Sequence, residues 1–124
     1  MNINIVAKQM ALTPAIAEYT EKKLRTLRKY LGIEDGPALA KVELGKVSRR
    51  HQHGDHFKAE VHLSAWRKTF SASSTGSDLY AELDKVKDEL VGELVSFKAQ
   101  RTTKSRMGER KLKEILHHVR SKRS

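Results

Sequence analysis

The chain has 124 residues and no cysteine, and its 25 Lys and Arg outnumber 15 Asp and Glu to give a formal net charge of +10. That length suits one domain with an appendage and a core of modest size. The absence of cysteine excludes disulfide frameworks, thiol catalysis and cysteine zinc sites, and fits a reducing, cytoplasmic setting. Met1-Asn2-Ile3-Asn4 does not open a signal peptide, and no apolar run approaches the roughly 20 residues a membrane span needs.

Residues 2–6 alternate, with Ile3 and Ile5 on one side, and read as a strand. Thr13 and Pro14 then form a helix start, the threonine as N-cap and the proline at the first helical position. Ile16, Thr20, Leu24, Leu27 and Leu31 share one stripe at helical spacing, and Gly32 is the expected C-cap. Glu34 to Pro37 is a loop by its turn residues. Residues 39–48 alternate through Ala40, Val42 and Leu44, and a polar loop spans 49–55. Residues 56–65 give the cleanest strand: Phe57, Ala59, Val61, Leu63 and Ala65 face one way, and Lys58, Glu60, His62 and Ser64 the other. Arg67-Lys68 is the expected hairpin tip, followed by a strand through Phe70, Ala72 and Ser74. Asp78 is the expected N-cap of a second helix with Leu79, Leu83, Val86, Leu90, Leu94 and Phe97 as its apolar stripe.

The order β-α-β-β-β-α, with alternating strands and singly striped helices, predicts an α+β two-layer sandwich. A four-stranded sheet carries two helices on one face and leaves the other face to water, the layout of double-stranded-RNA-binding domains. The boundaries drawn are a domain at 1–97 and a basic tail at 98–124. Residues 98–106 lack apolar periodicity and read as extended or disordered, whereas Leu112, Ile115, Leu116 and Val119 fit a short amphipathic helix formed on contact with a partner, so the tail reads as extended or partly helical.

Charge is distributed unevenly. Residues 1–97 hold 15 Lys and Arg against 13 Asp and Glu, a balance of +2. Residues 98–124 hold 10 against only Glu109 and Glu114, a balance of +8. A cationic tail seeks polyanions, nucleic acid first and an anionic membrane second. On the first helix, Lys22, Arg25 and Lys29 fall opposite the apolar stripe, flanked by Lys23 and Arg28, at a spacing that tracks phosphates. Tyr19 and Tyr30 lie on one flank, placed either to stack on bases or to pack half-buried. Residues 78–97 carry six acids and only Lys85 and Lys87, with Asp84, Lys85 and Asp88 placed near the outward face. Arg49 and Arg50 add an RNA-contacting loop, and Lys98, Arg101, Lys104 and Arg106 begin the tail. His51, His53 and His56 cluster near His62 but match no zinc spacing, so no metal or cofactor is expected. There is no G-x-S-x-G elbow and no Gly-rich phosphate loop, and no enzyme activity is expected.

Met1 to Leu31 resembles the N-terminus of bacterial ribosome hibernation-promoting factors and ribosome-associated inhibitors, the protein Y or sigma-54 modulation family. The likeness is carried by Lys8-Gln9-Met10, by Leu12-Thr13-Pro14-Ala15-Ile16 and by the Leu24-x-x-Leu27 spacing. Ser77-Asp78-Leu79-Tyr80-Ala81, followed by Leu83-Asp84, is similar to the family's Asp-Met-Tyr-Ala-Ala-Ile-Asp signature. The resemblance implies the same β-α-β-β-β-α fold and binding to rRNA of the small ribosomal subunit, in its mRNA and tRNA channel. It implies translation inhibition and ribosome hibernation as a stress response in stationary phase. No membrane or small-molecule partner is implied, and the chain is expected to be a monomer off the ribosome.

Lys23 and Lys29 stand where family members carry Arg or Lys, whereas Thr26 replaces a frequent lysine. On the second helix, Glu89, Gly92 and Ser96 occupy positions that are commonly basic, which leaves Lys85 and Lys87 and gives the tail a compensating role. A tail of about 27 residues is too short for the extra domain of long forms, so the resemblance is to a short form. Two readings compete: a general double-stranded-RNA binder or RNA chaperone of the same layout, and a protein-interaction module that modulates a transcription factor.

Overall fold

Strand alternation sets the sheet. The computed structural model describes residues 1–32, 38–47, 54 and 56–123, with side chains as far as Arg101. Four strands, β1 (Asn2–Lys8), β2 (Leu39–Val47), β3 (His56–Ala65) and β4 (Lys68–Gly76), lie side by side in chain order. β1 runs parallel to β2, and the other two pairings are antiparallel. A parallel neighbour requires a crossover, which the first helix supplies. The register places Ile5 beside Val42, Val42 beside Val61, and Leu63 beside Phe70. Ala40, Val42, Leu44, Ala59, Val61, Leu63, Phe70 and Ala72 are buried on one face. The intervening residues meet water, as alternation requires.

Helix α1 (Pro14–Arg25) starts as expected: the Ile16 N–H donates to the Thr13 hydroxyl at 3.2 Å, with Pro14 in the first turn. Thr20 and Leu24 are buried, and the Thr20 hydroxyl donates to the Ile16 carbonyl at 2.8 Å. The expected single helix to Gly32 is instead broken. The Thr26 hydroxyl donates to the Lys23 carbonyl at 2.6 Å, and the Leu27 N–H bonds the Leu24 carbonyl at 3.0 Å. These i to i+3 bonds tighten the chain before a single turn, α2 (Arg28–Leu31). Leu27 and Leu31 still reach the core, and Gly32 ends the turn at φ 73°, where a Cβ would be strained.

Helix α3 runs Leu79–Arg123. The Tyr80 N–H donates to the Asp78 carboxylate at 3.0 Å, and Leu79, Leu83, Val86, Leu90 and Leu94 are buried. Phe97, placed last in the expected stripe, is half-buried. The extended stretch expected over 98–106 is helical. Residues 98–123 contain no proline and a single glycine, Gly108, among mostly good helix formers, so propensity carries the helix where apolar periodicity lapses. The chain divides into two compact units, Met1–Leu94 and Val95–Ser124. Among the described residues no helix is long and apolar enough to cross a membrane.

The β3–β4 turn also departs from expectation. Ala65 pairs with Lys68, so the two tip residues are Trp66 and Arg67, not Arg67 and Lys68. Both have positive φ, 52° and 60°, as a two-residue type I′ turn demands. Asn and Gly normally fill those places, and for bulky residues the conformation costs on the order of 1 kcal/mol each or more. The Trp66 indole N–H donates to the Leu31 carbonyl at 3.1 Å, and its ring meets Phe70 edge-on at 6.0 Å between centroids. These two contacts hold the turn against the end of α2.

Candidate nucleic-acid interface

The burial of Thr20, Leu24, Leu27 and Leu31 turns the opposite face of α1 and α2 outward. Lys22, Arg25, Arg28 and Lys29 are all exposed there. None of the four has an ion-pair partner among the described residues. Lys29 lies over the Tyr30 ring with its Nζ 5.1 Å from the centroid. Lys22 and Arg25, with Lys23, occupy the last turn of α1, where cations also complement the helix dipole. The row therefore keeps its full charge available to an external anion.

Lys23 is placed differently. Its Nζ pairs with the Asp84 carboxylate at 3.2 Å and lies 5.5 Å from the Tyr19 ring centroid. The Tyr19 hydroxyl donates to the same Asp84 oxygen at 2.7 Å, and the Tyr19 ring meets Tyr80 edge-on at 4.7 Å. Tyr19 and Lys23 are one turn apart on α1, and Tyr80 and Asp84 one turn apart on α3, so the four form a clamp between the helices. This corrects one expectation, since Asp84 points at α1 rather than outward, and decides between the two uses open to Tyr19, which packs half-buried.

The clamp has a pH signature. Its hydrogen bond to Asp84, then burial and the nearby carboxylate charge, push the Tyr19 hydroxyl up to about 12. The hydrogen bond from Tyr19, followed by Lys23, holds Asp84 below its ordinary value of 3.8 despite some desolvation. A raised folded-state pKa favours the protonated phenol, so Tyr19 contributes stability that is complete below pH 10 and lost as pH rises through 12. Asp84 contributes stability present above 3.8 and lost as pH falls through its lower folded value. In an ultraviolet titration, Asp84→Asn is expected to return the Tyr19 midpoint from about 12 toward 10. An unchanged midpoint would refute the assignment.

On α3 the remaining candidates are paired. Lys85 reaches Glu82 at 3.3 Å and Lys87 reaches Asp88 at 3.1 Å. Glu82 is 3% exposed, accepts from the Ser74 hydroxyl, and lies over Gly76, where a Cβ would stand 2.0 Å from its Oε1. Of the helix's acids, Glu82 thus points into the protein and Asp84 reaches across to α1. Lys98 and Arg101 are exposed on the helical tail, Arg101 lying 6.0 Å from the Phe97 centroid. Arg49, Arg50, His51 and His53 lie outside the described residues, as do the side chains of Lys104 and Arg106.

Most charges on the open face of the sheet pair with one another, exposed Lys41 having no ion pair among the described residues. Lys8 pairs with Glu43 at 3.6 Å, and Glu60 with Lys58 at 3.3 Å and His62 at 2.7 Å. The Lys58 hydrogen bond leads the causes that hold Glu60 below its ordinary carboxylate range. His62 also meets the Ser71 hydroxyl at 2.7 Å. Among the described residues no three His, Asp or Glu side chains are arranged to hold a metal. The sequence reading missed the helix clamp and the Trp66 tether. Matching i, i+4 pairs on the two helices hinted at the first, and a lone tryptophan beside a turn at the second.

The class these features define is a two-layer α+β domain with a row of exposed cations along the end of α1 and on α2. The chain belongs to the Sigma 54 modulation protein / S30EA ribosomal protein family, whose profile matches residues 3–102. It is 31% identical over 114 residues to the ribosome-associated factor Y of Haemophilus influenzae, covering 92% of this chain and 96% of that protein. It is 30% identical over 107 residues to the ribosome hibernation promotion factor of Lactococcus lactis, covering 86% of this chain but 54% of that longer protein. The crystal structure of the Thermus thermophilus protein Y N-terminal domain is similar, with a TM-score of 0.66 and 30% identity over 78% of this chain and 99% of that one. A ribosomal subunit interface protein from Coxiella burnetii shares the fold, with a TM-score of 0.61 and 20% identity over 80% of this chain and 99% of that one.

Proposed function

We propose that this chain is a ribosome hibernation factor that inhibits translation by binding rRNA in the mRNA and tRNA channel of the small ribosomal subunit. The observation that carries this reading is the unpaired, exposed row Lys22, Arg25, Arg28 and Lys29 in a member of a family whose named relatives are ribosome-associated. Residues 1–97 act as the ribosome-binding domain, and the +8 segment 98–124 supplies further attraction to phosphate through Lys98, Arg101, Lys104 and Arg106. Arg49 and Arg50 contribute from the segment between β2 and β3 in sequence. Lys23, Lys85 and Lys87, each already paired with a carboxylate, contribute less. The protein acts in the cytoplasm, without a cofactor.

Co-sedimentation of the full chain with separated ribosomal subunits tests the reading. The expected result is stoichiometric binding to the small subunit, weakened by salt and competed by initiator tRNA. Equal affinity for any duplex RNA would favour a general RNA binder. A partner retained after nuclease treatment would favour a protein-interaction module.

A further inference from the structure

The two residues at the β3–β4 tip are ill suited to the turn they make, yet they are held firmly. Trp66 and Arg67 both take positive φ, at 52° and 60°, where Asn-Gly would be unstrained. The Trp66 indole is bonded to the Leu31 carbonyl at 3.1 Å and packed edge-on against Phe70. Leu31 is the last residue of α2, the turn that carries Arg28 and Lys29. The tether therefore fixes the hairpin tip against the end of the turn that carries two cations of the row. Arg67 follows Trp66 immediately and is exposed, with no ion pair among the described residues. Lys68 follows on the same outward bend, its Nζ 5.2 Å from the Phe70 centroid.

We propose that this tip is a second phosphate-anchoring point, in which the Trp66 tether positions Arg67, with Lys68 beside it, to extend the α1–α2 cation row onto the sheet layer. The proposal rests on the nucleic-acid reading above and adds to it a contact from the opposite layer of the fold. A planar guanidinium is the group suited to bidentate phosphate contact, and holding it on a fixed turn reduces the ordering cost of that contact. Anchors on two elements grip a curved backbone at two points, whereas a helix face alone grips along one line.

The test uses the full-length protein and purified small ribosomal subunits, titrated with salt. R67G removes the guanidinium and places glycine where φ is positive. It is expected to weaken binding about five-fold near 0.1 M salt and to lower the slope of log K against log salt by roughly 0.7–0.9, one phosphate contact. Its thermal midpoint should stay level or rise. W66G keeps the charge but frees the turn, and is expected to weaken binding while circular dichroism reports a folded protein. The triple variant K22E/R25E/K29E serves as reference. If it loses binding while R67G keeps wild-type affinity and slope, the tip is not an anchor although the helix row is. If the reference also binds normally, the nucleic-acid reading itself fails. If R67G weakens binding but folded W66G does not, Arg67 acts without the tether and the positioning role is overturned.

Discussion

Replacing Lys22, Arg25 and Lys29 together with glutamate is expected to abolish binding to the small ribosomal subunit while leaving the fold intact. The three side chains are exposed on the outer face of α1 and α2, and none bonds to a carboxylate among the described residues. Their replacement breaks no ion pair among the described residues but loses the Lys29–Tyr30 contact and the favourable charge of Lys22 and Arg25 at the helix end, so stability should fall by only about 1 kcal/mol. The loss in binding is of another order. Each neutralised phosphate contributes roughly 0.7–0.9 to the salt slope, so three lost contacts lower it by about 2–3. Repulsion by the new carboxylates adds to this, and affinity near 0.1 M salt should fall at least about 100-fold. Sedimentation with subunits across a salt series measures both quantities. Normal co-sedimentation of a folded triple variant would place the interface elsewhere.

The second large effect concerns stability. Gly76→Ala is expected to destabilise the protein by about 2–4 kcal/mol, because the added methyl displaces a buried carboxylate from its partners. The ideal Cβ position is 2.0 Å from Glu82 Oε1 and 2.8 Å from its carboxyl carbon. Glu82 cannot swing into water without leaving Ser74 and Lys85, and it is 3% exposed. The backbone at Gly76 has an ordinary φ, so only this contact excludes a side chain. A double-mutant cycle isolates it: Gly76→Ala should be almost neutral once Glu82 is alanine, although Glu82→Ala is itself destabilising. Additive urea-unfolding free energies would show that the close approach is not the cause. A loss of this size lowers the melting temperature by roughly 10–20 °C for a domain near 100 residues.

Much of this architecture was legible because the pattern that forms each element is also the pattern that buries it. Residues 56–65 alternate strictly, and a one-residue slip would expose Val61 and Leu63, so β3 has no competing register. Thr13, Pro14 and Asp78 announce helix starts through local chemistry that needs no tertiary partner. The hairpin tip was misplaced because nothing local favours Trp66-Arg67 in a type I′ turn. The tether that holds it comes from Leu31, 35 residues away in sequence. Asp84 was misoriented for a related reason, since its direction is decided by Tyr19 and Lys23 on a different helix. The cation row on α1 and α2 was readable because an apolar stripe defines its own opposite face. Which cations remain available was not, because pairing depends on packing: Lys23 looks equivalent to Lys22 in sequence and is not so in the structure.

The Tyr19–Asp84 clamp sets two oppositely charged helices side by side. α1 and α2 carry Lys22, Lys23, Arg25, Arg28 and Lys29 against Glu18 and Glu21, whereas α3 as far as Leu94 carries five acids against Lys85 and Lys87. On the sheet's open face the Lys8–Glu43 and Lys58–Glu60–His62 groups are internally paired. Within the unit Met1–Leu94, positive charge therefore gathers on the α1–α2 side of the helical layer and negative charge on the α3 side. A polyanion is then expected to draw the α1 edge forward and turn the α3 edge away as the two approach. Orientation is then selected in the encounter, and salt should act first on the association rate, with less effect on how long the formed complex lasts.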